Sequence, residues 1–245
     1  MRTDYFVGSI AESYDRDVSP MFDPAVVAST VEFLVDLAGD GAALELGIGT
    51  GRIALPLAAR GVPVRGIDLS PDMVAQLRGK PGGVDIDVTI GDFATTVVPG
   101  SFRVAYLVFN TIGNLTSQEE QVACFVNVGR HLEPGGSFVL EVGVPPLRRL
   151  PPGQTSLAFD VTPDHLGFDT LDVAQQLGVS HHYWVAEGRN ETFSLPYRYV
   201  WPAELDLMAR IGGMRLRERW SGWGRTPFTG ESASHVSVWE KLPPG

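Results

Sequence analysis

Three glycines at alternate positions follow a short apolar run, in Glu45-Leu46-Gly47-Ile48-Gly49-Thr50-Gly51. Glycine lets a backbone turn tightly and approach a bound molecule with no Cβ in the way. Beyond the first strand of an open α/β sheet, such a loop lies where these sheets take their ligands. A loop that cradles pyrophosphate is spaced G-x-G-x-x-G and offers a helix N-terminus to the negative charge. Here the spacing is G-x-G-x-G, and Glu45 stands two positions before the first glycine. Its carboxylate would repel pyrophosphate but suits a ligand bearing an ammonium and a sulfonium group. Asp68, in Gly66-Ile67-Asp68-Leu69-Ser70, ends the next apolar segment, where a carboxylate can accept both hydroxyls of a ribose. Asp92, in Gly91-Asp92-Phe93, ends the third and could accept from an adenine amino group beside an aromatic shield. Asp68 alone fits a nicotinamide dinucleotide equally well, so an NAD-dependent oxidoreductase is the competing enzyme class. The glycine spacing and Glu45 count against it.

These acids need strands to carry them. Val64 to Leu69, Val84 to Ile90, Phe102 to Phe109 and Ser137 to Val142 read as strands after Ala42 to Leu46. Between them, Arg52 to Arg60, Pro71 to Leu77 and Ser117 to Leu132 read as helices, with Ser117 as a cap. Pro56 predicts either a distortion of its helix or a register that puts it in the first turn. Asp23 to Gly39 is a further helix, with Asp23 as N-cap and Pro24 at the first helical position. Pro134-Gly135-Gly136 reads as a turn. Strands alternating with helices imply a Rossmann-like, mostly parallel seven-stranded sheet with helices on both faces.

After Val144 prolines break the rhythm, and β-rich stretches follow: Phe168 to Val173, Val179 to Val185 and Thr192 to Val200. They predict an antiparallel insertion after the fifth strand, with Glu187-Gly188-Arg189-Asn190 as a hairpin turn. Pro202 to Ile211 returns to helix, and Arg215 to Trp220 and His235 to Glu240 supply the last two strands. The expected organisation is 1–144 as a ligand-binding core with an N-terminal helical cap, 145–200 as a lid, and 201–245 completing the sheet.

The 245 residues carry a net charge of −10, which argues against a nucleic-acid partner, since phosphate binding needs a basic surface. Arg148-Arg149 and Arg215 to Arg219 read as solvated surface, and the tryptophans as core or pocket wall. The only cysteine, Cys124, lies among apolar residues and reads as a buried, inert thiol, so no intrachain disulfide is expected. No run of ~18 apolar residues and no leader pattern is seen, so the expectation is a cytoplasmic protein with no membrane partner. No Cys/His/Asp spacing suggests a metal.

Together, Glu45 to Gly51, Gly66 to Ser70, Gly91 to Phe93 and Leu132-Glu133-Pro134-Gly135-Gly136 resemble the signatures of class I S-adenosylmethionine-dependent methyltransferases across nearly the whole chain. The resemblance implies S-adenosylmethionine as cofactor and a small-molecule acceptor. It puts Gly47, Gly49 and Gly51 under the methionine moiety, with Glu45 ordering the loop and the amino group. It puts Asp68 on the ribose, Leu69 beside the adenine and Met73 packed on the ring. Asp92 and Phe93 would meet the adenine amine, Phe109 and Asn110 the methionine and reactive methyl, and Tyr14 would close over the ligand. The insertion resembles the substrate lid of nucleotide-sugar N,N-dimethyltransferases, which share the Asn110 to Asn114 turn but commonly carry histidine where Asn114 stands.

For the reaction, the expectation is SN2-like transfer to an N or O nucleophile, governed by alignment and exclusion of water. Tyr14, His181 and His182 are the candidate catalytic groups; the two histidines are adjacent in a strand and so point to opposite faces. A module that binds the cofactor without catalysis is the non-enzyme alternative. Acceptor identity and oligomeric state are not readable in the sequence.

Overall fold

The computed structural model describes residues 3–186 and 189–243. A first helix, α1 (Ser9–Asp17), precedes α2 (Pro24–Ala38), where Asp23 caps the amide of Ala25 and Pro24 occupies the first turn. Then β1 (Ala43–Leu46), α3 (Ala54–Ala59), β2 (Val64–Asp68), α4 (Pro71–Arg78), β3 (Asp87–Ile90) and β4 (Phe102–Leu107) alternate. Helix α5 (Gln118–His131) leads to β5 (Leu132–Gly143). Four strands follow: β6 (Ser156–Val161), β7 (His165–Asp172), β8 (Leu177–Ala186) and β9 (Arg189–Arg198). The chain closes with α6 (Pro202–Ile211), β10 (Met214–Trp220) and β11 (Ser234–Lys241).

The main sheet has the order β10-β11-β5-β4-β1-β2-β3, and β11 alone runs against its neighbours. Strand order reverses at β1, with β2 on one side and β4 on the other, which opens a crevice at their carboxyl ends. Every residue of β1 is buried, as expected of a central parallel strand covered on both faces. On one face, Phe125, Phe138 and Trp239 meet edge-on or tilted at 5.0 to 5.9 Å, each such pair adding about 0.5–1.5 kcal/mol beyond area burial. Cys124 is fully buried in the same cluster. On the other face, Phe33, Leu34 and Leu57 pack under α2 and α3.

Of the two arrangements expected for Pro56, the structure has the second: it sits in the first turn of α3, where its missing N–H costs no helical bond. Two expectations shift. Pro134-Gly135-Gly136 does not interrupt β5; pairing jumps from Phe102–Leu132 to Val104–Ser137, so residues 133–136 bulge from a strand that has already begun. The insertion is an antiparallel meander of four strands, β6-β7-β8-β9, one more than the sequence reading. Of the predicted hairpin turn, residues 187 and 188 lie outside the described residues; the strands pair up to Ala186–Arg189.

Candidate functional site

A cleft of about 1040 Å³ lies at the carboxyl ends of the central strands, and the glycine loop forms part of its wall. Gly47 has φ 66°, and a Cβ there would lie 2.8 Å from Cγ2 of Thr111. Gly49 has φ 53° and abuts Cε of Met73. Both residues need glycine for backbone and space alike. Gly51 does not line the cleft: a Cβ on it would strike Leu77 and Leu55, so its smallness seats the loop on α4.

The acids converge as the strand ends do. Asp68 is 8% exposed; Oδ2 accepts from the amide of Gly49 at 2.6 Å and Oδ1 from that of Ser70 at 2.8 Å. Each oxygen keeps a further lone pair for a ligand hydroxyl. Burial raises its pKa, and the two amides pull it back. Glu45 is 2% exposed, and the hydroxyl of Tyr106 donates to its Oε2 at 2.9 Å. Burial pushes Glu45 up to about 8, against the opposing pull of Tyr106 and of Arg52, which also lines the cleft. Asp92 accepts from the amide of Ala94, and Phe93, Leu69 and Met73 supply apolar wall around it.

After β4 the chain turns through two consecutive non-glycine residues in the left-handed region, Phe109 at φ 56° and Asn110 at φ 59°. Such backbone costs about 1–3 kcal/mol per residue and persists only where surroundings hold it. Glu141 does so, accepting from the amide of Phe109 at 3.0 Å and from the indole of Trp223 at 2.8 Å. Asn110 takes no part in the wall; its Oδ1 accepts from the amide of Gly143 at 2.6 Å and ties the turn to β5. The Phe109 ring lines the cleft, with the Arg52 guanidinium 5.6 Å from its centroid.

The N-terminal segment closes one side. Tyr14 lines the cleft and packs edge-on against Phe6 at 5.8 Å. Burial raises Tyr14 to about 12, so its hydroxyl keeps its proton at neutral pH. The segment is stitched down by Ser70 Oγ donating to the Phe6 carbonyl and by the Gly8 amide donating to Asp72. Asp15 accepts from Thr50 of the glycine loop at 2.6 Å and pairs with Lys80. Thr3 to Phe6, Arg52 and Glu120 were not singled out in the sequence; only the fold brings them here.

Leu177, Leu195 and Pro196 of the four-stranded meander form the opposite wall, with Asn114, Thr116 and Glu120 at their foot. His181 and His182 do point to opposite faces: His181 contacts Ser194 and Phe168, while His182 contacts His165 and Trp184. Neither lines the cleft. Among the described residues no helix is long and apolar enough to span a membrane, and no group of three His, Cys, Asp or Glu side chains could hold a metal ion.

The glycine loop, acidic strand ends and apolar ring seats fit an adenosyl ligand with a cationic amino-acid tail. Comparisons with known proteins agree. A family profile described as a methyltransferase domain matches residues 43–136. The chain is 34% identical to the CcbJ methyltransferase of Streptomyces caelestis, with 96% of each chain covered and a TM-score of 0.86. It is 29% identical over 203 residues to a cypemycin N-terminal methyltransferase of a Streptomyces species, covering 81% of this chain and 82% of that protein. Its fold matches that of CalS10, an amino pentose methyltransferase of Micromonospora echinaspora solved with S-adenosylmethionine bound, at a TM-score of 0.73 and 20% identity over 99% of this chain and all of the other. The chain belongs to the class I S-adenosylmethionine-dependent methyltransferases.

Proposed function

We propose that this enzyme methylates a nucleophilic nitrogen or oxygen of a small molecule, and that its acceptor is an amine made in secondary metabolism. The charge of the cleft carries this reading. Asp4, Asp68, Asp92 and Glu120 line it beside Glu45, which bears a proton near neutral pH, and Arg52 is the one Arg or Lys among its described lining residues. An acidic cleft concentrates a cationic acceptor and disfavours an anionic one. The relatives' names point the same way, one to a peptide N-terminus and one to an amino pentose in calicheamicin biosynthesis.

Bound S-adenosylmethionine supplies an electrophilic methyl on a sulfonium. In the proposed arrangement Asp68 accepts from the ribose hydroxyls, Asp92 from the adenine amine, and Glu45 faces the ammonium. Gly47 and Gly49 let the backbone come close, while Leu69, Met73 and Phe93 pack on the adenosyl rings. Phe109 and Tyr14 exclude water around the reacting carbon, where low dielectric and fixed alignment do most of the work. The cleft volume is at the upper end of ligand pockets, leaving room for an acceptor between Glu120 and the meander. That room argues against a non-catalytic binding module. Formation of S-adenosylhomocysteine against a panel of amino sugars, peptide amines and phenols tests the proposal. Turnover on amines is the expected result; turnover on phenols alone or on carbon nucleophiles alone would overturn the amine assignment.

A further inference from the structure

The single turn Thr111–Asn114 joins the two ends of the cleft. At its start, a Cβ on Gly47 of the glycine loop would lie 2.8 Å from Cγ2 of Thr111. Two residues on, a Cβ on Gly113 would lie 3.4 Å from the Arg198 carbonyl and 3.5 Å from Cβ of Tyr197, so the turn finishes against β9. Asn114, Thr116 and Glu120 continue away from the glycine loop, at the foot of the wall made by Leu177, Leu195 and Pro196. This is the end left for the acceptor.

Glu120 caps its helix, but the cap does not need its charge. Its Oε2 accepts from the Ser117 amide at 3.1 Å, and Ser117 Oγ accepts from the Glu120 amide at 3.2 Å. A carboxamide completes such a box as well as a carboxylate does. What the cap does is fix the side chain, so that a half-buried carboxylate lines the cleft in one place. Its neighbours at this end are the neutral Asn114 and Thr116 and the apolar wall. Arg52 belongs to the cofactor end: it follows the glycine loop, donates through Nη1 to the Met21 carbonyl at 2.9 Å, and lies 5.6 Å from the Phe109 ring centroid.

The two sides of the acceptor end are tied to one another. Gln121, fully buried beside Glu120, donates to the carbonyls of Ile112 at 3.3 Å and Leu115 at 3.2 Å and accepts from Arg198 Nη1. Arg198, two residues after Pro196, donates through Nη2 to Glu204 at 2.7 Å and to Gln176 at 3.2 Å, and Gln176 precedes Leu177. Glu204 also accepts from Gln118 at 2.6 Å. One network thus joins the first turn of α5, the β7–β8 turn, the end of β9 and α6, and it sets the gap between Glu120 and the apolar wall. A charge held at a fixed range from an apolar surface selects a ligand with the same two parts.

We propose that Glu120 selects the acceptor: it pairs with a cationic amino group while Leu177, Leu195 and Pro196 take an uncharged body, which makes the substrate class an amine free of phosphate and carboxylate groups. This rests on the amine reading above and narrows it. An anionic group at this end would meet the Glu120 carboxylate, with Arg52 committed to the other end. The part played by Glu120 is recognition. The bound ammonium loses a proton to water, the freed lone pair bonds to the methyl carbon, and the carbon–sulfur pair stays with sulfur. The product nitrogen is again a cation.

The test begins with the amine panel, each member offered also with a phosphate or carboxylate on its body. Amines with uncharged bodies should exceed their anionic counterparts at least about tenfold in kcat/KM; an anionic amine as the best substrate would overturn the substrate class. Glu120→Gln then removes the charge and keeps the cap. It should raise KM for the fastest amine about tenfold or more, with S-adenosylhomocysteine affinity and Tm unchanged. The hydroxyl counterpart of that amine, measured as a competitive inhibitor, should bind both proteins equally, which separates charge from shape. A KM within about twofold of wild type, or an equal loss for the amine and its hydroxyl counterpart, would overturn the role of Glu120. Should the variant fail to fold, the wild type decides. Below the amine's pKa it should bind the amine about tenfold more tightly than the hydroxyl counterpart, and equal binding would overturn the pairing. A panel without any amine turnover would sink the amine reading itself, whereas amine turnover insensitive to Glu120→Gln sinks only this assignment.

Discussion

Replacing Glu45 with glutamine tests the electrostatics of the site before any acceptor is known. In the folded protein burial holds Glu45 near 8, against a reference value of 4.5. Between those values the native state binds more protons than the unfolded chain, so stability is full at low pH and falls as pH rises through about 8. One pKa unit is worth about 1.36 kcal/mol, so raising pH from about 6 to about 9 removes roughly 2.7 kcal/mol through this group alone. At about 2–4 °C per kcal/mol for a chain this size, that is about 5–11 °C in Tm. The carboxamide introduced by Glu45→Gln can still accept from Tyr106 and does not titrate, so the variant should lack this part of the slope. Scanning calorimetry of both proteins across that range, without ligand, makes the comparison. Parallel Tm–pH curves would refute the buried, proton-bearing Glu45. A ligand ammonium should reverse the protonation: binding of S-adenosylhomocysteine near pH 7 should release close to one proton, read from calorimetry in buffers of different ionisation heat.

Asp68→Ala should weaken S-adenosylhomocysteine binding by about tenfold or more, because a charged hydrogen-bond acceptor is worth about 1.5–3 kcal/mol, with calorimetry as the readout. It should also lower stability, since the Gly49 and Ser70 amides lose their acceptor. Gly47→Ala combines a left-handed φ with the contact to Thr111 and should cost about 1–3 kcal/mol in urea unfolding. Glu204→Ala removes the carboxylate 2.7 Å from the buried Arg198 guanidinium and should destabilise by about 3–5 kcal/mol, seen as a lower Tm. A Tm rise with S-adenosylmethionine and none with NAD separates the two cofactor classes in one thermal-shift plate.

The core was legible because a central parallel strand must be apolar throughout and must end where the chain turns, so Ala42 to Leu46 announced both β1 and its glycine loop. Cap chemistry is equally local: Ser117 and Glu120 form a reciprocal capping box, and Asp23 with Pro24 opens α2. Gly51 and Asn110 show the limit of motif reasoning. Both belong to the right segments, but Gly51 serves packing against Leu77 and Asn110 serves the strained turn after β4. Nothing local reveals that Phe109 adopts positive φ, since Glu141 and Trp223 hold it from distant segments. β6 was missed because its burial is weak: most of Ser156–Val161 is exposed, and an edge strand is defined by its neighbour's pairing more than by alternation. Likewise His165 and His182 meet only through the β7–β8 register.

A crystal structure with S-adenosylhomocysteine would place the ligand in the cleft. The ribose hydroxyls are expected on Asp68, the amino group facing Glu45, and the sulfur directed past Phe109 toward the Leu195 wall. Density for the ligand elsewhere on the chain, or in this cleft with the ribose away from Asp68, would contradict that placement.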